Sequence, residues 1–155
     1  MERVAYIFRD VVDKVGLDTV KDLIKQPGMR GVHRITLHYH DFRARDTIAT
    51  ITRGIDNTAQ LAVIYYGRFE HKPLKRTLSP TDYERFNQVF QNIKFDKMID
   101  QQKVSPYGVD LCMVERATGG FVKSIIFAPE KAEDHYATLY NVISAYLPEV
   151  IRQVK

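Results

Sequence analysis

The chain reads as an α+β protein in which helices pack on an antiparallel sheet of about five strands, a three-stranded meander plus a hairpin. Three observations predict this. Apolar residues recur at spacings of three and four near both termini and after residue 79. They alternate at every second position from residue 32, and turn residues separate the alternating runs. The chain has 155 residues, of which 45% are hydrophobic and 27% charged. That composition is ordinary for a globular chain, and the length suits one α+β domain over residues 1–155.

The first element is a helix. Val4, Ile7, Phe8, Val11, Val12 and Val15 share one helical face, with Arg3, Asp10, Asp13 and Lys14 between them. Gly16 can take the left-handed conformation that ends a helix. Asp18 is expected to cap a short second helix presenting Val20, Leu23 and Ile24, which Pro27 and Gly28 stop.

From Val32 the period becomes two. Ile35, Leu37 and Tyr39 point one way, and Arg34, Thr36, His38 and His40 point the other, as on a strand with one wet face. Residues 46–53 are rich in β-branched types, 54–58 supply turn residues around Asp56 and Asn57, and 60–69 are strand-like again. The third strand is apolar on both faces from Leu61 to Tyr66, so it is expected to run centrally and to leave a patch for a second copy of the chain.

Ser79-Pro80-Thr81-Asp82 opens a helix, because Ser caps, Pro is preorganised for the first turn and Asp suits the positive helix end. Its stripe Tyr83, Phe86, Val89, Phe90 and Ile93 reads as core. Strands at about 108–116 and 121–128 meet at a tight turn holding Gly119 and Gly120. A last helix carries Tyr136, Leu139, Tyr140, Ile143 and Leu147, and Pro148 should kink or end it.

The order helix, three strands, helix, two strands, helix resembles that of the small α/β secretion chaperones. The resemblance is one of layout and rests on no motif. It implies a dimer that holds other proteins, and it transfers no residue.

Several classes are disfavoured. No run approaches the 18 or more apolar residues of a membrane helix, and the N-terminus leads into an amphipathic pattern, so a cytoplasmic location without membrane contact is expected. Cys112 is the sole cysteine, which excludes an intramolecular disulfide and a multi-cysteine zinc site; on its strand it reads as a small buried side chain. A net charge of +4 is too small to dictate a partner. Phosphate-loop, dinucleotide-binding, nucleophile-elbow and His-Glu-x-x-His patterns are all missing.

Three groups of residues carry chemistry. His38 and His40 lie two apart on a strand, and imidazoles at that spacing can chelate one divalent ion if Asp46, Glu70, His71, Asp110 or Glu115 supplies further ligands. Arg34 shares their face and opposes a cation, so they are expected to be exposed and without a ligand. Arg43, Arg45, Lys72, Lys75 and Arg76, interleaved with aromatics, could neutralise phosphates of a nucleic acid. Tyr66, Tyr136, Tyr140 and Tyr146 belong to a set of nine Tyr and eight Phe, types suited to interfaces. These residues favour binding over catalysis: a small protein-binding or adaptor module, self-associating and without a cofactor. The alternatives are a nucleic-acid-binding protein and a metal-dependent hydrolase using His38 and His40.

Overall fold

The structure, a computed structural model, describes residues 2–41, 45–66, 73–102, 105 and 107–151. Its centre is a six-stranded antiparallel sheet in the order β4-β3-β2-β1-β5-β6. The strands are β1 (Met29–His38), β2 (Thr47–Gly54), β3 (Ala59–Tyr65), β4 (Leu74–Leu78), β5 (Leu111–Thr118) and β6 (Phe121–Phe127). The helices are α1 (Glu2–Lys14), α2 (Val20–Ile24), α3 (Pro80–Asn92) and α4 (Asp134–Tyr146). The architecture is thus the expected α+β one with one strand more, and the added strand also departs from the chaperone-like order.

Local chemistry explains most boundaries. Gly16, at φ 74°, ends α1. The cap of α2 is Thr19, not Asp18: its hydroxyl accepts the backbone N–H of Asp22 at 3.1 Å. Ser79 caps α3 in the same way through Asp82, and α4 stops at Tyr146, with Pro148 opening a short 3-10 turn over Pro148–Val150. Gly119, at φ 55°, makes the β5–β6 turn.

Helices cover both faces of the sheet. On one, Ile35 and Leu37 of β1 join Ile51, Leu61, Val63, Val114, Ile125 and Phe127 in a core shared with Phe86 and Phe90 of α3 and Leu139 and Ile143 of α4. Each such buried Phe removes enough apolar surface from water to contribute roughly 2–3 kcal/mol. On the other, Val11 and Val12 of α1 meet Ile48, Phe8 meets Leu111 and Ile126, and Val20 and Ile24 of α2 meet Val32 and Ala117. The expected wet face of β1 is therefore covered, with Arg34 and Thr36 both buried. Alternation showed that β1 has two faces, but polar residues on the second are held beneath the N-terminal helices.

Two further expectations about the sheet change. The third strand is second from the edge, and β1 and β2 are central. Its apolar second face arises because Ile64 pairs with Ile48 below α1 and is itself buried, while Ala62 stays partly open. The added strand, β4, is a short edge strand, exposed at Leu74, Lys75 and Thr77, and such a strand lacks the apolar alternation that reveals a half-buried one. The opposite edge is capped. The N–H groups of Ile126 and Ala128 donate to Asp100 Oδ1 (2.8 Å) and Gln101 Oε1 (2.9 Å), and the Gln101 N–H donates to the Ile126 carbonyl (2.9 Å). Among the described residues no helix is long and apolar enough to cross a membrane.

Candidate metal centre

β1 ends at His38, and beyond its last ladder pair the backbone N–H groups need other acceptors. Two carboxylates from distant parts of the chain supply them. Asp46, just before β2, accepts the Tyr39 N–H on Oδ1 (3.0 Å) and the His38 Nδ1–H on Oδ2 (2.8 Å). Asp110, just before β5, accepts both the N–H (3.2 Å) and the ring Nδ1–H (2.8 Å) of His40 on Oδ1. An ionised carboxylate only accepts, so the proton in each pair is assigned to Nδ1, and each ring presents Nε2 on its other side.

The two pairs differ in burial. The side chain of His38 is 19% exposed and that of Asp46 11%, against 32% for His40 and 7% for Asp110. The histidines were expected to be exposed; both are instead half-buried, each with its ring hydrogen-bonded to a carboxylate. The hydrogen bond that the His38 ring donates to Asp46, aided by the charges of Asp46 and Asp110, holds the His38 pKa above its ordinary value although burial works against it.

His40, Asp41 and Asp110 each offer a ligand atom within 4.8 Å of the others. Asp110 sits deepest, and Asp41 lies at the surface. One imidazole and two carboxylates form a mixed nitrogen and oxygen donor set, which suits zinc or manganese better than a bare oxygen set would. His40 and Asp41 are its more exposed members, and the charge of Asp110 also reaches His38 of the neighbouring pair. Of the partners named from the sequence, Asp46 and Asp110 are brought to the histidines, Glu70 and His71 lie outside the described residues, and Glu115 is four positions along β5 from the Leu111 that pairs with His38. Asp41, within the His-rich stretch itself, was not recognised as a ligand. A strand pattern leaves the direction of the residue after the strand undefined.

The other candidate groups fare differently. Arg43 and Lys72 lie outside the described residues. Lys75 and Arg76 are neighbours on β4 and so point to opposite faces. Arg76 binds the Glu149 carboxylate through Nε (3.2 Å) and Nη2 (2.9 Å), and its Nη2 also donates to the Tyr146 carbonyl (2.7 Å). Arg45 is exposed. The tyrosines are half-buried: Tyr66 against the cluster of Val11, Val12 and Ile48, and Tyr136, Tyr140 and Tyr146 against the main core. Tyr136 Oη donates to the Ile99 carbonyl at 2.6 Å.

No known protein family and no curated protein matches the chain. Among solved structures it is similar to a Bacillus halodurans protein provisionally described as an adenylate cyclase. The identity is 11%, the match spans 96% of this chain and 86% of that one, and the TM-score is 0.27. A likeness that distant carries no argument about fold or activity.

Proposed function

We propose that this chain binds a divalent transition-metal cation at the end of β1, with His40, Asp41 and Asp110 as ligands and the His38–Asp46 pair beside them. One observation carries the reading: Asp110 is delivered, nearly buried, to a His-Asp pair 70 positions earlier, with all three ligand atoms within 4.8 Å. Three protein ligands leave positions for water, and water on such a cation is a nucleophile near neutral pH, so metal-dependent hydrolysis is the chemistry this centre would support.

The metal must compete with a proton. His40 Nδ1 and Asp110 Oδ1 are 2.8 Å apart, whereas bonds of about 2.0–2.1 Å place tetrahedral ligand atoms about 3.3 Å apart. If Nδ1 is the ligand, the pair opens slightly and releases its proton. If Nε2 is the ligand, Asp110 stays behind the ring and orients it, as outer carboxylates do in many sites. A protein-binding surface, by comparison, would have to use tyrosines whose rings already pack on the core.

The test is a thermal melt with Zn²⁺, Mn²⁺ or Mg²⁺ after treatment with chelator. Cation at a hundredfold excess over Kd adds about 2.7 kcal/mol, on the order of 5–10 °C for a chain of this size. Zn²⁺ or Mn²⁺ should produce such a shift, and His40→Gln and Asp41→Asn should each remove it. A wild-type melt indifferent to all three cations, or a shift that survives both substitutions, refutes the proposal.

A further inference from the structure

On the sheet face that carries α1 and α2, the helices cover Ile64 at one end of β3 but leave Gln60, Ala62 and the neighbouring β4 open. The uncovered part forms a cavity of about 450 Å³. Its floor is Thr50, Thr52, Gln60, Ala62 and Ile64, the turn from Gly16 to Asp18 forms one wall, and Lys75 stands at the opposite rim. At the inner end lies Arg34, only 1% exposed.

The guanidinium of Arg34 is held at two points. Nε donates to Thr50 Oγ1 at 3.0 Å, and Nη1 donates to the Asp18 carbonyl at 2.7 Å. Among the described residues Nη2 has no hydrogen-bond partner and no carboxylate comes within ion-pair distance of the group. Glu115, its cross-strand neighbour on β1–β5, and Asp18 act on it only through longer-range attraction. A buried cation without a contacting anion is costly, and a simple brace between sheet and turn would need no charge. Arg34 borders both this cavity and a smaller one of about 130 Å³ that holds Glu115.

We propose that the cavity between the α1–α2 turn and strands β2 to β4 binds a small organic anion, whose carboxylate or phosphate group contacts Arg34 and whose apolar body lies along Ala62 and Ile64. The cavity volume falls in the range of small-molecule sites, which combine an apolar lining with a few fixed polar groups. Arg34 is well suited to that role: its planar fork is already oriented by Thr50 and Asp18, so little side-chain freedom is lost on binding. Lys75 adds positive charge at the entrance, and the hydroxyls of Thr50 and Thr52 with the Gln60 amide offer further hydrogen bonds. This site shares no residue with the strand-end centre and stands independently of it.

Benzoate, phenyl phosphate and the neutral benzyl alcohol are suitable probes, titrated by NMR with isotope-labelled protein; inorganic phosphate separates recognition of the bare anion from that of an anion with an apolar body. Binding of benzoate or phenyl phosphate should be at least tenfold tighter than that of benzyl alcohol, with shifts confined to residues lining the cavity. The stronger of the two anions identifies the headgroup. Ala62→Phe, which fills the cavity from a partly open strand position and leaves Arg34 itself in place, should abolish binding while the fold persists. Arg34→Met should erase the preference for anions, and Lys75→Gln should weaken it severalfold. Equal affinity for the neutral probe, full binding by Ala62→Phe, shifts located elsewhere, or a wild-type surface that responds only by self-association overturns the proposal.

Discussion

Asp110 grips His40 twice with one oxygen, at the backbone N–H and at the ring Nδ1, across 70 positions of sequence. A nearly buried carboxylate with two such donors is costly to alter, because its partners are left without an acceptor. Asp110→Asn should lower stability by about 1–3 kcal/mol in urea unfolding. His40→Gln, at a more exposed position, should cost less than half as much. Equal costs would mean that Asp110 acts through contacts other than this pair.

His38 predicts a pH dependence on the alkaline side. Its folded pKa lies above the ordinary 6.5 because of Asp46. The pair's contribution is therefore complete below the unfolded-state pKa and disappears as pH rises from about 6.5 through the folded value. In chelator, wild type should melt lower at pH 8.5 than at pH 6.5, and Asp46→Asn should flatten that difference. An unchanged profile in the variant would place the effect elsewhere.

His33 predicts the opposite dependence on the acid side. Its ring lies under α3 with edge contacts to Tyr83, Phe86 and Phe90, and neither nitrogen completes a hydrogen bond, although Asn87 approaches. Burial, with the Arg116 charge, pushes its pKa down to about 3. Its contribution is complete above pH 6.5 and falls as pH drops toward 3, by up to about 1.4 kcal/mol per pH unit. His33→Leu should remove that component of acid unfolding. It should also raise stability at neutral pH by about 1 kcal/mol, since an unpaired polar ring is replaced by an apolar group. Unaltered acid sensitivity would show that the carboxylates alone govern it.

Arg76 and Glu149 tie the edge strand β4 to the turn after α4, and Tyr65 Oη adds a 2.7 Å hydrogen bond to the Glu149 carbonyl. The Arg76 side chain is 37% exposed, so solvent screens the pair and a double-mutant cycle should give a coupling of about 0.5–1 kcal/mol. Arg76→Ala alone should cost more, because the Tyr146 carbonyl loses its donor too. A coupling of zero would leave the backbone contacts as the whole of the tie.

The helices, the meander and the hairpin were legible because each is specified within a dozen residues: the stripe Phe86, Phe90 and Ile93, the Ser79 cap, the alternation through Ile35 and Leu37. What was hidden depends on partners far away. Whether Arg34 faces water or α1 cannot be read from alternation, since a covered polar face and a wet one have the same pattern. β4 was missed because Lys75, Arg76 and Thr77 look like a solvated loop. His38 and His40 were visible as a pair, and Asp46 and Asp110 as two of several acids, but the register of β1 on β5 decides which acid arrives. That register follows from Val114 and Cys112 seeking the core beside Ile35 and Leu37, and not from the acids.

The strand order also dictates when the parts meet. β1 to β4 pair in sequence, each closing a short loop, whereas β5 must return past β4, β3 and β2 to reach β1. Closing that longer loop costs more chain entropy, so the β5–β6 hairpin docks after the meander has formed. Pulse-labelled hydrogen exchange should accordingly protect Ala49 and Val63 before Val114. Asp110 arrives with β5, and so the strand-end centre is complete only after that last and most costly closure has been made. A cation captured there would leave the refolding rate of the chain nearly unchanged and would act as a brake on its unfolding.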